Sequence, residues 1–148
     1  MQKLEVAGKV PDIRLKVLRG GKMSLKELQG EIVLLNFFAY RCEICRKESA
    51  AFDELGEEMK GKGLVFLEVA TEGTEKDLLK FTEEFNISSP ILMDKHGSVA
   101  RAYEVFGHHE TFFLNREGRI FGKSFGMGIW TSPNMIKVLE RLVAGHNK

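Results

Sequence analysis

Apolar and polar positions along the chain follow two periods, one of strands and one of helices. Ile13 to Val17 alternates like an edge strand, Gly20-Gly21 makes a turn, and SLKEL at Ser24 to Leu28 reads as a short helical turn. Ile32 to Ala39 (IVLLNFFA) is apolar except at Asn36, the pattern of a strand covered on both faces. In the segment that follows, Cys45, Glu48, Phe52, Leu55 and Met59 recur at helical spacing, and Gly61 and Gly63 end the helix. Leu64 to Ala70 (LVFLEVA) is a further strand. Thr74 with Asp77 forms a helix-start signal, and Leu78, Phe81 and Phe85 are the apolar stripe of that helix.

Pro90 to Met93 reads as a short strand, DKHG as a turn, and Val99 to Tyr103 as a short helix. Thr111 to Leu114 and Arg119 to Ser124 flank the turn Asn115-Arg116-Glu117-Gly118 and make a β-hairpin. Ser132 caps a last helix with Pro133 at its first position, and Met135, Ile136, Leu139, Leu142 and Val143 form its buried stripe. Trp130 and Gly126-Met127-Gly128 are expected to pack over the core end of that helix. The order β-α-β-α-β-α-β-β-α predicts an α/β fold with a mixed, mostly parallel sheet and helices on both faces. No linker divides residues 1–148, which read as a single domain.

Composition narrows the function classes. With 148 residues, 43% hydrophobic and 29% charged, the chain has the makeup of a soluble globular domain. A net charge of +1 offers no field for nucleic acid or an anionic membrane. No apolar stretch reaches the roughly 20 residues that cross a bilayer. Met1 to Val10 is too short and too charged for a signal peptide, which leaves a cytosolic protein or an exported one shorn of its leader.

The chain has two cysteines, Cys42 and Cys45, too few for a four-cysteine zinc site in one chain. Cys42 follows a central strand and begins a helix, where unsatisfied N–H groups and aligned dipoles stabilise an anion. Such placement lowers a thiol pKa from about 8.5 to between roughly 3.5 and 7.5. Cys45 lies on the apolar stripe, so Cys42 is expected to be the exposed attacking thiol and Cys45 the shielded resolving one. Glu48 puts a carboxylate on that stripe. It reads either as a partly buried acceptor for the Cys45 proton or as a surface acid reaching water beside Arg46 or Lys47. Asn36 reads as a buried amide bonded to its neighbours.

Taken together, these segments resemble the thioredoxin fold, and more narrowly the ResA/TlpA-type thiol–disulfide oxidoreductases. LLNFFAYRCEICRKE is similar to that group's strand, CxxC and basic-basic-glutamate run; GKVPDI with SLKELQGEIVLLNF is similar to its N-terminal hairpin and lead-in. ILMDKHGSVARAYEVFG and ETFFLNREGRI are similar to its inserted helix and closing hairpin. The resemblance implies a thioredoxin-like fold with a central mixed sheet flanked by helices and an N-terminal β extension. It implies Cys42 as nucleophile, Cys45 as resolving thiol, Glu48 as the acid beside them, and no bound cofactor.

Three departures stand out. Arg41 occupies the place of a tryptophan usual beside the first cysteine. Asn36 stands where thioredoxin itself has a buried aspartate, so that proton relay is absent. In FGHHETFF the match to the family's G-x-P-x-T-F loop puts His109 on the position of a cis-proline opposite the CxxC. A non-proline cis bond costs about 2.5–4 kcal/mol, so a trans bond is expected before His109. His109, Glu110 and Arg41 are then the expected substrate-contacting residues.

Two readings of different class follow. The first is an enzyme that reduces or exchanges disulfides in protein substrates, including those of cytochrome c maturation. It would be monomeric, served by a redox partner protein, and extracytoplasmic by resemblance. The alternative is a copper- or zinc-binding thiol module holding the ion with Cys42, Cys45 and His109, with His108 as a further donor.

Overall fold

The computed structural model describes residues 12–105, 109–125 and 128–146. The lead-in before Asp12, the segment Phe106-Gly107-His108 and the pair Gly126-Met127 lie outside these. The chain begins with a hairpin, β1 (Arg14–Val17) and β2 (Lys22–Ser24), and a 3-10 turn over Leu25–Leu28. The apolar run becomes β3 (Ile32–Phe38), buried at every residue, and leads into α1 (Glu43–Glu58). β4 (Leu64–Ala70) follows, then α2 (Glu75–Phe85), where Thr74 and Asp77 form the expected reciprocal cap. β5 (Ile91–Met93), α3 (Ser98–Ala102), the hairpin β6 (His109–Leu114) and β7 (Ile120–Phe125), and α4 (Met135–His146) complete the domain.

Seven strands form one sheet in the order β2-β1-β5-β4-β3-β6-β7. Only β3–β4 and β4–β5 pair in parallel, and the other four pairings are antiparallel. The sheet is mixed as expected, but less parallel than the alternation of elements suggests, because a hairpin is added at each side. β1 is not the edge strand: Lys22–Ser24, too short to show a period, covers it from outside. α4 starts at Met135 rather than at Pro133. Ser132 accepts the Asn134 and Met135 N–H groups through its hydroxyl and carbonyl, so Ser132–Asn134 is a turn before the helix.

The two faces of the sheet carry different cores. Val33, Leu35 and Phe37 of β3 pack with Leu67, Val69, Tyr103 and Phe112 on the face toward α3. On the face toward α1 there are two clusters. One joins Leu34, Phe52, Phe66, Phe113, Trp130 and Leu139; the other joins Phe38, Cys45, Ala70, Leu78 and Phe81. Trp130 stands edge-on to Phe52 and stacks over Phe113, so it does seal the core beside α4. Truncating a buried phenylalanine such as Phe52 would cost about 3–5 kcal/mol.

Between those two clusters lies a polar rung. Glu68, Asn36, Thr111 and Ser124 are in register across β4, β3, β6 and β7, and all four are buried. Their parity places them on the α1 face.

Candidate active site

The site sits where β3 ends and α1 begins. Cys42 is the N-cap of α1, with extended backbone, and its sulfur accepts the Cys45 N–H at 3.3 Å. The two cysteines form a disulfide. Cys45 is 1% exposed within the cluster of Phe38, Ala70 and Phe81, while Cys42 is half-buried and only borders it. Ile44, between them, is 48% exposed. The helix N-terminus thus meets solvent at Cys42, and its unsatisfied donors favour negative charge on that sulfur once the disulfide opens. Arg41 is exposed and its main-chain N–H is held by Glu72 Oε1 at 2.9 Å. Arg46 lies over the Tyr40 ring, 5.5 Å from its centre, and bonds the Tyr40 carbonyl, which fixes the turn into the helix.

Glu48 is 9% exposed and does not reach water beside its basic neighbours. Its Oε1 accepts the Gly128 N–H at 2.6 Å, and its Oε2 is buried without a hydrogen-bond partner among the described residues. Lys47 pairs instead with Glu43, at 3.7 Å on the surface. The helix therefore buries Cys45, Glu48, Ser49, Phe52, Asp53 and Leu55 on one side.

His109 opens β6 opposite Phe38, and directly paired residues of antiparallel strands share a face. Its side chain is thus on the α1 face, where Phe38 packs with Cys45. It is 7% exposed, and neither ring nitrogen has a hydrogen-bond partner among the described residues. The peptide bond joining it to His108 lies outside the described residues. Glu110, next along the strand, is buried toward the opposite face. Its Oε1 is 2.8 Å from Lys123 Nζ, which also lies 4.9 and 4.8 Å from the ring centres of Phe112 and Phe125. Cys42, Cys45, Glu48 and His109 are brought to one side of the sheet; Glu110 turns away from them, and Arg41 stays on the surface. Among the described residues no group of three or more His, Cys, Asp or Glu side chains is placed to hold a metal ion. No helix among them is long and apolar enough to cross a membrane.

Sequence reasoning missed Glu68. It is fully buried in β4, and its Oε2 accepts bonds from Asn36 Nδ2 at 3.0 Å and Ser49 Oγ at 3.2 Å. Burial holds its carboxyl well above the usual range, outweighing those two bonds, and the nearby Asp53 carboxylate adds to the rise. The signal was one acid in the run LVFLEVA, otherwise a strand covered on both faces. Asn36 does bond its neighbours: beyond Glu68, its Oδ1 accepts from Thr111 Oγ1 at 3.0 Å.

The profile of the AhpC/TSA family matches residues 6–122. Thioredoxin-like protein YneN of Bacillus subtilis is 34% identical over 132 residues, covering 88% of this chain and 76% of that protein. Thiol-disulfide oxidoreductase ResA of Geobacillus kaustophilus is 29% identical, covering 93% and 78%. The thioredoxin domain of a thiol-disulfide oxidoreductase from Bacteroides vulgatus superposes with a TM-score of 0.79 at 25% identity, covering 95% of this chain and 99% of that one. An exposed lipoprotein thioredoxin of Streptococcus pneumoniae does so with 0.74 at 24%, covering 88% and 98%. The chain belongs to the AhpC/TSA family, with a thioredoxin-like fold and, in Cys42–Cys45, the redox disulfide of a thiol–disulfide oxidoreductase.

Proposed function

We propose that the protein exchanges disulfides with protein substrates by a two-cysteine cycle in which Cys42 attacks and Cys45 resolves. The observation that carries this reading is the unequal burial of the pair at the start of α1: Cys42 half-buried, Cys45 1% exposed. A thiolate at Cys42 forms a bond to one sulfur of the substrate disulfide, and the other substrate sulfur leaves with the electron pair. Cys45 then loses its proton and attacks Cys42 in the mixed disulfide, releasing the reduced substrate.

Glu48 takes the Cys45 proton in that second step. Its position on the buried side of α1, one turn from Cys45, and an Oε2 without a partner among the described residues support this. Arg41 and the exposed Ile44 flank the pair and are the surface offered to a substrate chain, with the buried His109 behind them on the same side of the sheet. Glu110 supports that surface by tying the start of β6 to Lys123. Proteins with paired cysteines, such as precursors of c-type cytochromes, are the substrate class that the ResA likeness suggests. A separate redox partner would restore the pair, and the protein would act as an extracytoplasmic monomer. Relatedness to ResA proteins and likeness to a lipoprotein thioredoxin favour that compartment.

The test is mixed-disulfide capture with an oxidised protein substrate. Cys45→Ser should accumulate a covalent complex through Cys42, and Cys42→Ser should form none. Accumulation only in Cys42→Ser would reverse the assignment.

A further inference from the structure

Glu68 is a buried acid that this cycle does not use. It stands in the middle of the sheet, opposite Asn36 on β3 and Ile91 on β5, under α1. One carboxylate oxygen takes two hydrogen bonds, and Oε1 has no partner among the described residues. A packed apolar residue would fill such a place at less cost, because a carboxylate without a cation is expensive to take out of water. Among the described residues no cation compensates it. From α1 it faces Ser49 and Asp53, and the Asp53 carboxylate is taken up by Ser88 and Ser89. From β3 it faces neutral Asn36. β5 offers Ile91, β6 offers Thr111 through Asn36, and His109 lies two residues along that strand on the same face. Glu48, on α1, turns to Gly128.

Its link to the chemistry runs through α1. Ser49 follows Cys45 by four residues, so the two side chains are stacked on one helix face, with Cβ atoms about 5–6 Å apart. Both are buried, and Ser49 bonds Glu68 directly. Two residues along β4 from Glu68, Ala70 packs in the cluster that holds Cys45. A charge on Glu68 and a charge on the Cys45 sulfur would therefore share one low-dielectric space between α1 and the sheet.

We propose that Glu68 and Cys45 ionise as a coupled buried pair, with Glu68 a positioning residue that keeps its proton so that the Cys45 sulfur can carry charge during resolution. In that step the Cys45 proton passes to Glu48. The sulfur's electron pair forms the bond to Cys42, the bond between Cys42 and the substrate breaks, and the substrate sulfur leaves with its pair and is protonated by water. Glu68 gains and loses nothing, but were it ionised, the thiolate would form beside a like charge and its formation would be disfavoured. The two groups thus titrate in macroscopic steps that belong to the pair.

The inference rests on the resolving part given to Cys45 above, but its test reads ionisation rather than turnover, so the two can fail separately. In Cys42→Ser protein, where Cys45 is the one remaining thiol, the Cys45 thiolate is titrated by its ultraviolet absorbance with Glu68 present and in Glu68→Gln. Alongside, the Glu68 carboxyl is followed by carbon NMR in otherwise wild-type protein, oxidised and reduced, with Glu68→Gln or Glu68→Asp assigning the signal. The expected results are a Cys45 midpoint unchanged in Glu68→Gln, because Glu68 is still protonated there, and a Glu68 midpoint that rises on reduction, because it then ionises beside a thiolate. A Cys45 midpoint lowered by the substitution would show that Glu68 ionises first, and a Glu68 midpoint equal in both redox states would show no coupling; either overturns the proposal. If Glu68→Gln does not fold, the oxidised-against-reduced comparison in the wild-type chain still decides.

Discussion

Gly128 donates its main-chain N–H to Glu48 Oε1 at 2.6 Å, so the first acid after the cysteine pair is locked against the segment that leads into α4. The bond holds one oxygen and leaves the other, Oε2, buried and without a partner among the described residues, on the same side of the helix as Cys45. Glu48→Gln keeps the acceptor for Gly128 and removes the base. It should fold normally and slow the resolving step by about tenfold to a hundredfold, with a changed pH profile. Stopped-flow exchange from pH 5 to 9 is the measurement. A profile identical to wild type would leave Glu48 a structural clamp on Gly128.

Glu68 ties stability to pH. Its carboxyl is raised in the folded state, so folding takes up a proton wherever the unfolded chain has released it. The stability this group allows is fully present below about pH 4 and is lost as pH rises through the folded value. Glu68→Gln removes that dependence. Its gain over wild type should be near zero at pH 4 and grow by up to about 1.4 kcal/mol per pH unit above that. Urea unfolding at pH 4, 6 and 8 reads it, and a constant difference between the two proteins would contradict it.

His109 carries two buried ring nitrogens without partners among the described residues, at a cost of about 1–3 kcal/mol for each such group. An apolar ring removes that cost. His109→Phe should raise stability by about 1 kcal/mol while slowing exchange, because the ring beside the Phe38–Cys45 cluster changes from polar to apolar. Thermal unfolding and substrate exchange, measured together, check both. A variant with lower stability and unchanged exchange would mean that the imidazole serves packing alone.

Lys123 and Glu110 form a nearly buried ion pair that holds the first residues of β6 to β7. Removing one partner of a buried pair costs about 3–5 kcal/mol, since the other charge stays behind. Lys123→Met should therefore destabilise by about 3 kcal/mol, and Lys123→Met with Glu110→Gln should recover most of it. A double variant no more stable than the single would show that the pairing does not dominate there.

Elements with a clear period were legible in the chain. The continuous run Ile32–Ala39 became the central strand, and the Thr74–Asp77 cap and the stripe Cys45–Phe52–Leu55 appeared where expected. β2 was not, because three residues of an edge strand show no alternation. The parity of β6 was also hidden. FGHHETFF places His109 and Glu110 side by side, and only pairing with Phe38 and Phe37 sends one toward α1 and the other away. Glu48 was seen but left open, because the partner that fixes it, Gly128, lies 80 residues on. Glu68 was overlooked because an isolated acid in an apolar strand gains meaning only from Asn36 and Ser49, 32 and 19 residues away.

The two sulfurs are unequal, with Cys42 open to a partner and Cys45 shielded beneath it. Limiting alkylation of the freshly reduced protein, with the modified peptide identified by mass spectrometry, tests this most directly. Cys42 should be labelled first and by a wide margin, with Cys45 reacting only after unfolding. Equal labelling, or labelling of Cys45 before Cys42, would contradict it.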